Sequence, residues 1–140
     1  MKTWLLDAGP VIALLDSRDP AHEAIAIALA PFRGRLVTTS AVLTEAFHLM
    51  RRYPRGANHL LEFLETSGTT PLECCRREQL RRAVALMGRY QDTPMDFADA
   101  TLVLLADEIG VYDICTLDRR GFHTFRSTRG KRFHLVLEDV

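Results

Sequence analysis

The chain alternates short apolar runs with stretches of helical periodicity, and this restricts it to an α/β fold with a parallel sheet covered by helices. Thr3–Leu6 is the first such run. It is nearly all apolar, as a strand buried on both faces should be, and it stops on Asp7, ahead of Ala8-Gly9-Pro10. A buried strand that delivers a carboxylate to a tight turn is how α/β proteins place charge at the ligand-binding edge of a sheet.

The remaining elements follow the same logic. Pro10–Asp16 reads as a short helix, and Asp19-Pro20 as a cap and first-turn proline opening a helix over Ala21–Leu29. Leu36–Thr38 is a second strand. Thr39 or Ser40 then caps a helix in which Leu43, Phe47 and Met50 recur at helical spacing. Asn58–Leu64, closed by Ser67-Gly68, and the amphipathic Gln79–Tyr90 are further helices, with a short strand at Pro71–Cys74 between them. The most apolar helix spans Asp96–Glu108 and ends at Gly110. Strands are expected within Val111–Leu117 and at His134–Leu137. The expectation is one α/β domain over residues 1–140, with about five short, mostly parallel strands.

A chain of 140 residues can bury a core without disulfides. Its formal net charge of zero gives no global electrostatic argument for nucleic acid, although a neutral total can hide local patches. The three cysteines, two of them adjacent at Cys74-Cys75, form neither a disulfide framework nor a zinc spacing. Cys75 and Cys115 sit among apolar residues and read as buried thiols in a reducing cytosol. Lys2 before a short apolar stretch that Asp7 interrupts does not fit a secretion signal, and no run reaches the length of a membrane span. A cytoplasmic protein is expected.

Four acids occupy positions that can converge. Asp7 ends the first strand, Glu45 lies in the first turns of the helix after the second strand, Asp99 lies one turn into the apolar helix, and Asp118 follows the strand Ile114–Leu117. Carboxylates held together repel, and their pKa values rise unless a cation neutralises them. Oxygen-only ligands suit Mg²⁺ or Mn²⁺, whose chemistry includes activating water for attack on phosphodiesters. Each acid also has a local reading. Asp7 can cap the turn into the first helix, Glu45 can be solvated, and Asp118 can cap the turn Asp118–Phe122. Asp96, in Thr93-Pro94-Met95-Asp96, fits a capping box. It shares a helical face with Asp99 and takes a supporting part.

Four segments carry a resemblance: Trp4–Asp16, Thr39–Glu45, Asp96–Val103 and Cys115–Phe122. In this order and spacing the chain resembles PIN domains, most closely the VapC-like ribonuclease toxins of toxin–antitoxin pairs. The resemblance spans essentially the whole length. It implies a three-layer αβα fold and Mg²⁺- or Mn²⁺-dependent cleavage of RNA, with homodimerisation and inhibition by a small antitoxin. The family's acidic quartet falls on Asp7, Glu45, Asp99 and Asp118, an extra acid on Asp96, and a hydroxyl that helps hold the site on Thr116. Many members place hydroxyl or amide side chains just after the first Asp, where Ala8 and Gly9 here offer only backbone.

Other motifs lead nowhere comparable. Glu45 and His48 form a Glu-x-x-His pair, but a di-iron bundle would need a second copy. His22, His59, His123 and His134 show no ligand spacing. An aspartyl phosphatase would need an acid at position 9, where Gly9 stands, and there is no Gly-rich phosphate loop. Arg119, Arg120, Arg126, Arg129, Lys131 and Arg132 follow Asp118 with no acid between them. They read either as a phosphate-binding edge, carried by Arg119 and Arg120, or as a solvated tail. Arg51-Arg52 and Arg76-Arg77 read as helix-surface charge. The leading expectation is an endoribonuclease toxin. The alternatives are a housekeeping PIN nuclease without an antitoxin and a degenerate PIN module that binds RNA or protein without cutting.

Overall fold

The computed structural model describes residues 1–138. Its strands are β1 (Thr3–Leu6), β2 (Arg35–Thr39), β3 (Thr70–Leu72), β4 (Asp113–Cys115) and β5 (His134–Leu135). Its helices are α1 (Ala8–Leu15), α2 (His22–Leu29), α3 (Ser40–Met50), α4 (Gly56–Ser67), α5 (Arg77–Arg89), α6 (Phe97–Ile109) and α7 (Arg119–Thr124). The strands form one sheet in the order β3-β2-β1-β4-β5, and every pairing is parallel. Leu5 pairs with Val37 on one side and with Ile114 on the other, so β1 lies at the centre. From β1 the chain moves outward through β2 to β3, then crosses back to β4 and on to β5. Parallel crossovers are right-handed, so this reversal places α1–α4 on one face and α5–α7 on the other, which makes the three layers.

Sequence and structure agree on the order and type of the elements except after β4, where the segment read as a turn capped by Asp118 winds on into helix α7, and the other differences have local causes. Asp19 caps a turn by accepting from Ala21 N at 2.8 Å, and α2 starts later, at His22. Thr39, not Ser40, caps α3, accepting from Val42 N at 3.2 Å. Gly68 and Gly110 end α4 and α6 in the left-handed conformation that lacks a Cβ penalty, at φ 65° and 69°. The strands at Pro71–Cys74 and His134–Leu137 are each shorter than expected, with β3 beginning one residue earlier. Cys115 is buried as expected, but Cys75 is exposed and its neighbour Cys74 takes the core position. The expected domain runs two residues past the described ones.

α6 is the central helix, buried without interruption from Ala100 to Asp107. Its one buried acid is a latch. Asp107 accepts from Tyr112 Oη and Thr128 N, both at 2.8 Å, and from the Thr128 hydroxyl. Burial acts to raise its pKa, but these bonds outweigh it and hold the carboxyl below its ordinary range. The segment after α7 is therefore folded rather than a solvated tail: Arg126 and Arg132 form an antiparallel bridge, and Ser127 Oγ accepts from the backbone of Arg129 and Lys131. Replacing Asp107 with Ala leaves the Thr128 N–H and the Tyr112 hydroxyl without their acceptor. We expect Asp107→Ala to lower stability by about 3 kcal/mol, measured by urea unfolding.

Candidate active site

In an open parallel sheet, ligands bind beyond the carboxyl ends of the strands, where the strand order reverses. That point lies between β1 and β4, and Asp7 and Asp118 flank it. The pairing of Leu6 with Cys115 continues as Asp7 N donating to Cys115 O at 3.0 Å, so the two strand ends leave the sheet together. Asp7 is the N-cap of α1. One of its carboxylate oxygens accepts from Ala8 N at 2.8 Å and the other from Thr116 Oγ1 at 2.7 Å. Thr116 Oγ1 in turn accepts from Asp118 N at 3.1 Å. A single hydroxyl thus orients the first acid and tethers the backbone of the last. The turn after Asp7 contributes only backbone, as Ala8 and Gly9 require.

α6 delivers the next two acids. Asp96 is its N-cap and Asp99 its third residue, and they cap each other: Asp96 Oδ1 accepts from Asp99 N at 2.8 Å, and Asp99 Oδ2 from Asp96 N at 3.2 Å. The capping box expected over Thr93–Asp96 therefore sits three residues later, because extended backbone at Asp96 makes this residue the cap. A helix N-terminus also favours negative charge. Glu45 arrives from α3, whose start is tied to α6 by the hydroxyls of Thr39 and Thr101, 2.8 Å apart. Asp118 caps α7 by accepting from Gly121 N at 3.0 Å. A Cβ at position 121 would meet the Asp118 carboxylate, which would have to shift from the position in which it caps α7.

The structure brings Asp7, Asp96, Asp99 and Asp118 into one electrostatic cluster, which Glu45 joins through Asp7 and Asp96. Burial pushes Asp7 and Glu45 up from the usual carboxylate range. The charge of Asp96 adds to both, that of Asp118 to Asp7, and that of Asp7 to Glu45. Asp99 is pushed up to about 8, first by burial and then by the charges of Asp96 and Asp7. Among the described residues, acid–base contacts join Arg18 to Asp16, His123 to Glu138 and His134 to Asp113, and none reaches this cluster. As the side chains stand, no three acids, imidazoles or thiols among the described residues are close enough to grip one ion. Each aspartate faces a local hydrogen-bond donor instead. The donor set fits a hard divalent cation all the same: it is oxygen only, it is anionic, and its mutual repulsion has no cationic counterweight.

The basic segment after Asp118 divides. Arg119 and Arg120 are exposed at the start of α7, beside Asp118. Arg126 is committed to the carbonyls of His123, Thr124 and Phe125, and the Lys131 ammonium lies 5.6 Å from the Tyr112 ring centroid. Sequence reasoning missed a groove beside Glu45, between α3 and α6, to which Phe97 and His48 contribute. The helical phase of Ser40, Thr44 and His48 was the available signal.

A model of the PIN domain family matches residues 4–128. Ribonuclease VapC26 of Mycobacterium tuberculosis (strain ATCC 25618 / H37Rv) is 29% identical over 133 residues, covering 94% of this chain and 98% of that protein. The crystal structure of Mycobacterium tuberculosis VapC20, described as a Sarcin-Ricin loop cleaving toxin, superposes with a TM-score of 0.74 at 18% identity. That match covers 84% of this chain and 91% of the other, and it shows the shared fold.

Asp99 sets a pH dependence of stability. Its folded pKa of about 8 lies above the unfolded value of about 3.9, so the folded state holds the proton more tightly. The resulting stability is fully present below about pH 4 and is lost as pH rises through about 8. In chelator, Tm should therefore fall across this window, and Asp99→Asn, which keeps an acceptor for Asp96 N, should lessen the fall, with Asp7 and Glu45 supplying the remainder. Differential scanning calorimetry of both proteins checks this.

Proposed function

The chain belongs to the PIN domain family, and from that premise we propose that it is a metal-dependent endoribonuclease, the toxin of a toxin–antitoxin pair. The observation that carries the reading is the set of carboxylates gathered at the sheet's reversal point without a cationic partner. Similarity to VapC26 along nearly the whole of both chains supports RNA as the substrate.

Asp7, Asp99 and Asp118 would hold the ion, Mg²⁺ or Mn²⁺, and Glu45 completes the acidic site from α3. When bound, such an ion supplies positive charge to the scissile phosphate and acidifies a water for in-line attack. Thr116 fixes the orientation of the Asp7 carboxylate by donating to one of its oxygens. Asp96 holds the first turn of α6 in place through the reciprocal cap with Asp99. Glu45, half-buried with a raised pKa, is suited to orient the attacking water and take its proton. Arg119 and Arg120 are placed to contact RNA phosphates beside the cleaved bond. We further propose that residues 1–140 act as one PIN domain in the cytoplasm, as a homodimer inhibited by a small antitoxin. Among the described residues, no helix is long and apolar enough to cross a membrane.

Incubation of purified protein with single-stranded RNA under Mg²⁺ and under Mn²⁺ tests the enzymatic part. We expect cleavage that chelator abolishes and that Asp7→Asn and Asp99→Asn each lower at least about a hundredfold. Thr116→Val should fold normally but require about tenfold more metal for half-maximal rate, the scale of losing a group that orients a metal ligand. RNA left equally intact by all four proteins would remove the nuclease reading in favour of a binding module. The toxin part is tested by growth arrest on expression, relieved by a small protein encoded alongside.

A further inference from the structure

We propose that the groove between α3 and α6 is a subsite for one unpaired nucleobase next to the scissile phosphate, with Phe97 as its stacking platform and His48 reading the base edge. This rests on the nuclease reading above. The groove measures about 680 Å³ and runs along one stripe of α3, from Ser40 through Thr44 and Glu45 to His48, facing the first turn of α6 at Asp96 and Phe97. The groove is open to solvent along its length, and its volume is ample for one base lying against its wall.

Three observations select a base as the occupant. Glu45 and Asp96 belong both to the groove and to the acidic cluster, so the groove opens directly onto the place where the phosphate would be cut. The groove's lining holds no arginine or lysine to pair with a phosphate, so of the parts of a nucleotide it suits the uncharged one. The backbone is then left to Arg119 and Arg120, which are exposed next to Asp118 and do not line the groove. Finally, the polar groups of the wall are mostly committed. Ser40 Oγ donates to Glu73, and Thr44 Oγ1 donates to Ser40 O at 2.9 Å. The exposed imidazole of His48 makes no hydrogen bond to the described residues, and it offers one donor and one acceptor to a base edge. Half-buried Phe97 supplies the aromatic face on which single-stranded RNA bases stack.

The test uses short single-stranded RNAs carrying 2-aminopurine at the nucleotides flanking the cleaved bond. In the cleavage assay, Phe97→Leu should raise KM about tenfold, the scale of one lost base–aromatic stack, and Phe97→Tyr should restore it. His48→Ala, at an exposed position, should change which base is preferred at the cleaved bond. In the Asp7→Asn background, where binding is read without cutting, 2-aminopurine fluorescence should be quenched on binding, and adding Phe97→Leu should abolish that quenching. Unchanged KM, base preference and quenching across these variants, with RNA still cut, would overturn the subsite and leave the nuclease reading intact. Quenching that depends on Phe97 in a protein that cuts no RNA would uphold the subsite as a base-binding site and overturn the nuclease reading. Loss of both would overturn both.

Discussion

The parallel pairing of β1 with β4 is the contact on which the rest of the site depends. These strands adjoin only because the chain, after building outward from β1 to β3, crosses back over the sheet. The pairing brings Leu6 beside Cys115, and the next residues form the site: Asp7 N bonds to Cys115 O, and Thr116 Oγ1 bonds to Asp7. Residues more than a hundred positions apart in the chain meet here through a ladder that no side chain needed to specify. The buried thiol of Cys115, pushed up to about 12 by its burial and by Asp7, is in this setting a core side chain rather than a reactive one.

Around that ladder the fold concentrates like charge instead of dispersing it. Asp7 is buried, Glu45 and Asp99 are half-buried, and Asp96 and Asp118 stand exposed at the rim. Backbone N–H groups at the starts of α1, α6 and α7 stabilise several of these carboxylates, but not enough to bring Asp7 or Asp99 back to the ordinary range. A cluster that raises its own pKa values at the ligand-binding edge of a sheet works against stability, and such clusters concentrate at functional sites. The same local caps that made each acid explicable by itself in the sequence are present in the structure. Capping and site formation are therefore two uses of one arrangement, because a helix start both satisfies a carboxylate and aims it at the sheet edge.

Much of this was legible from the residues. Apolar runs such as Thr3–Leu6 announced buried strands, Gly68 and Gly110 announced helix ends, and the four principal acids sat where strand ends and helix starts would bring them together. What was not legible depended on backbone direction. Whether Cys74 or Cys75 enters the core is a matter of one residue's phase after β3, where hydrophobic pattern is weak. The capping box fell on Asp96–Asp99 because of the dihedral angles at Asp96, which residue type alone leaves open. Residue type alone does not separate Arg126, whose guanidinium closes the end of α7, from the exposed Arg119 and Arg120. The groove escaped notice because its two walls come from helices distant in the chain.

The central claim is that this cluster is built to be neutralised by a divalent cation, and calorimetric titration of Mn²⁺ into the protein tests it most directly. Near pH 7 the raised pKa of Asp99 keeps it largely protonated, and coordination requires the carboxylate. Titration in buffers of different ionisation enthalpy should therefore report proton release on binding at about pH 7 that diminishes as pH rises through about 8. Absence of binding, or binding with no proton released at about pH 7, would contradict the account.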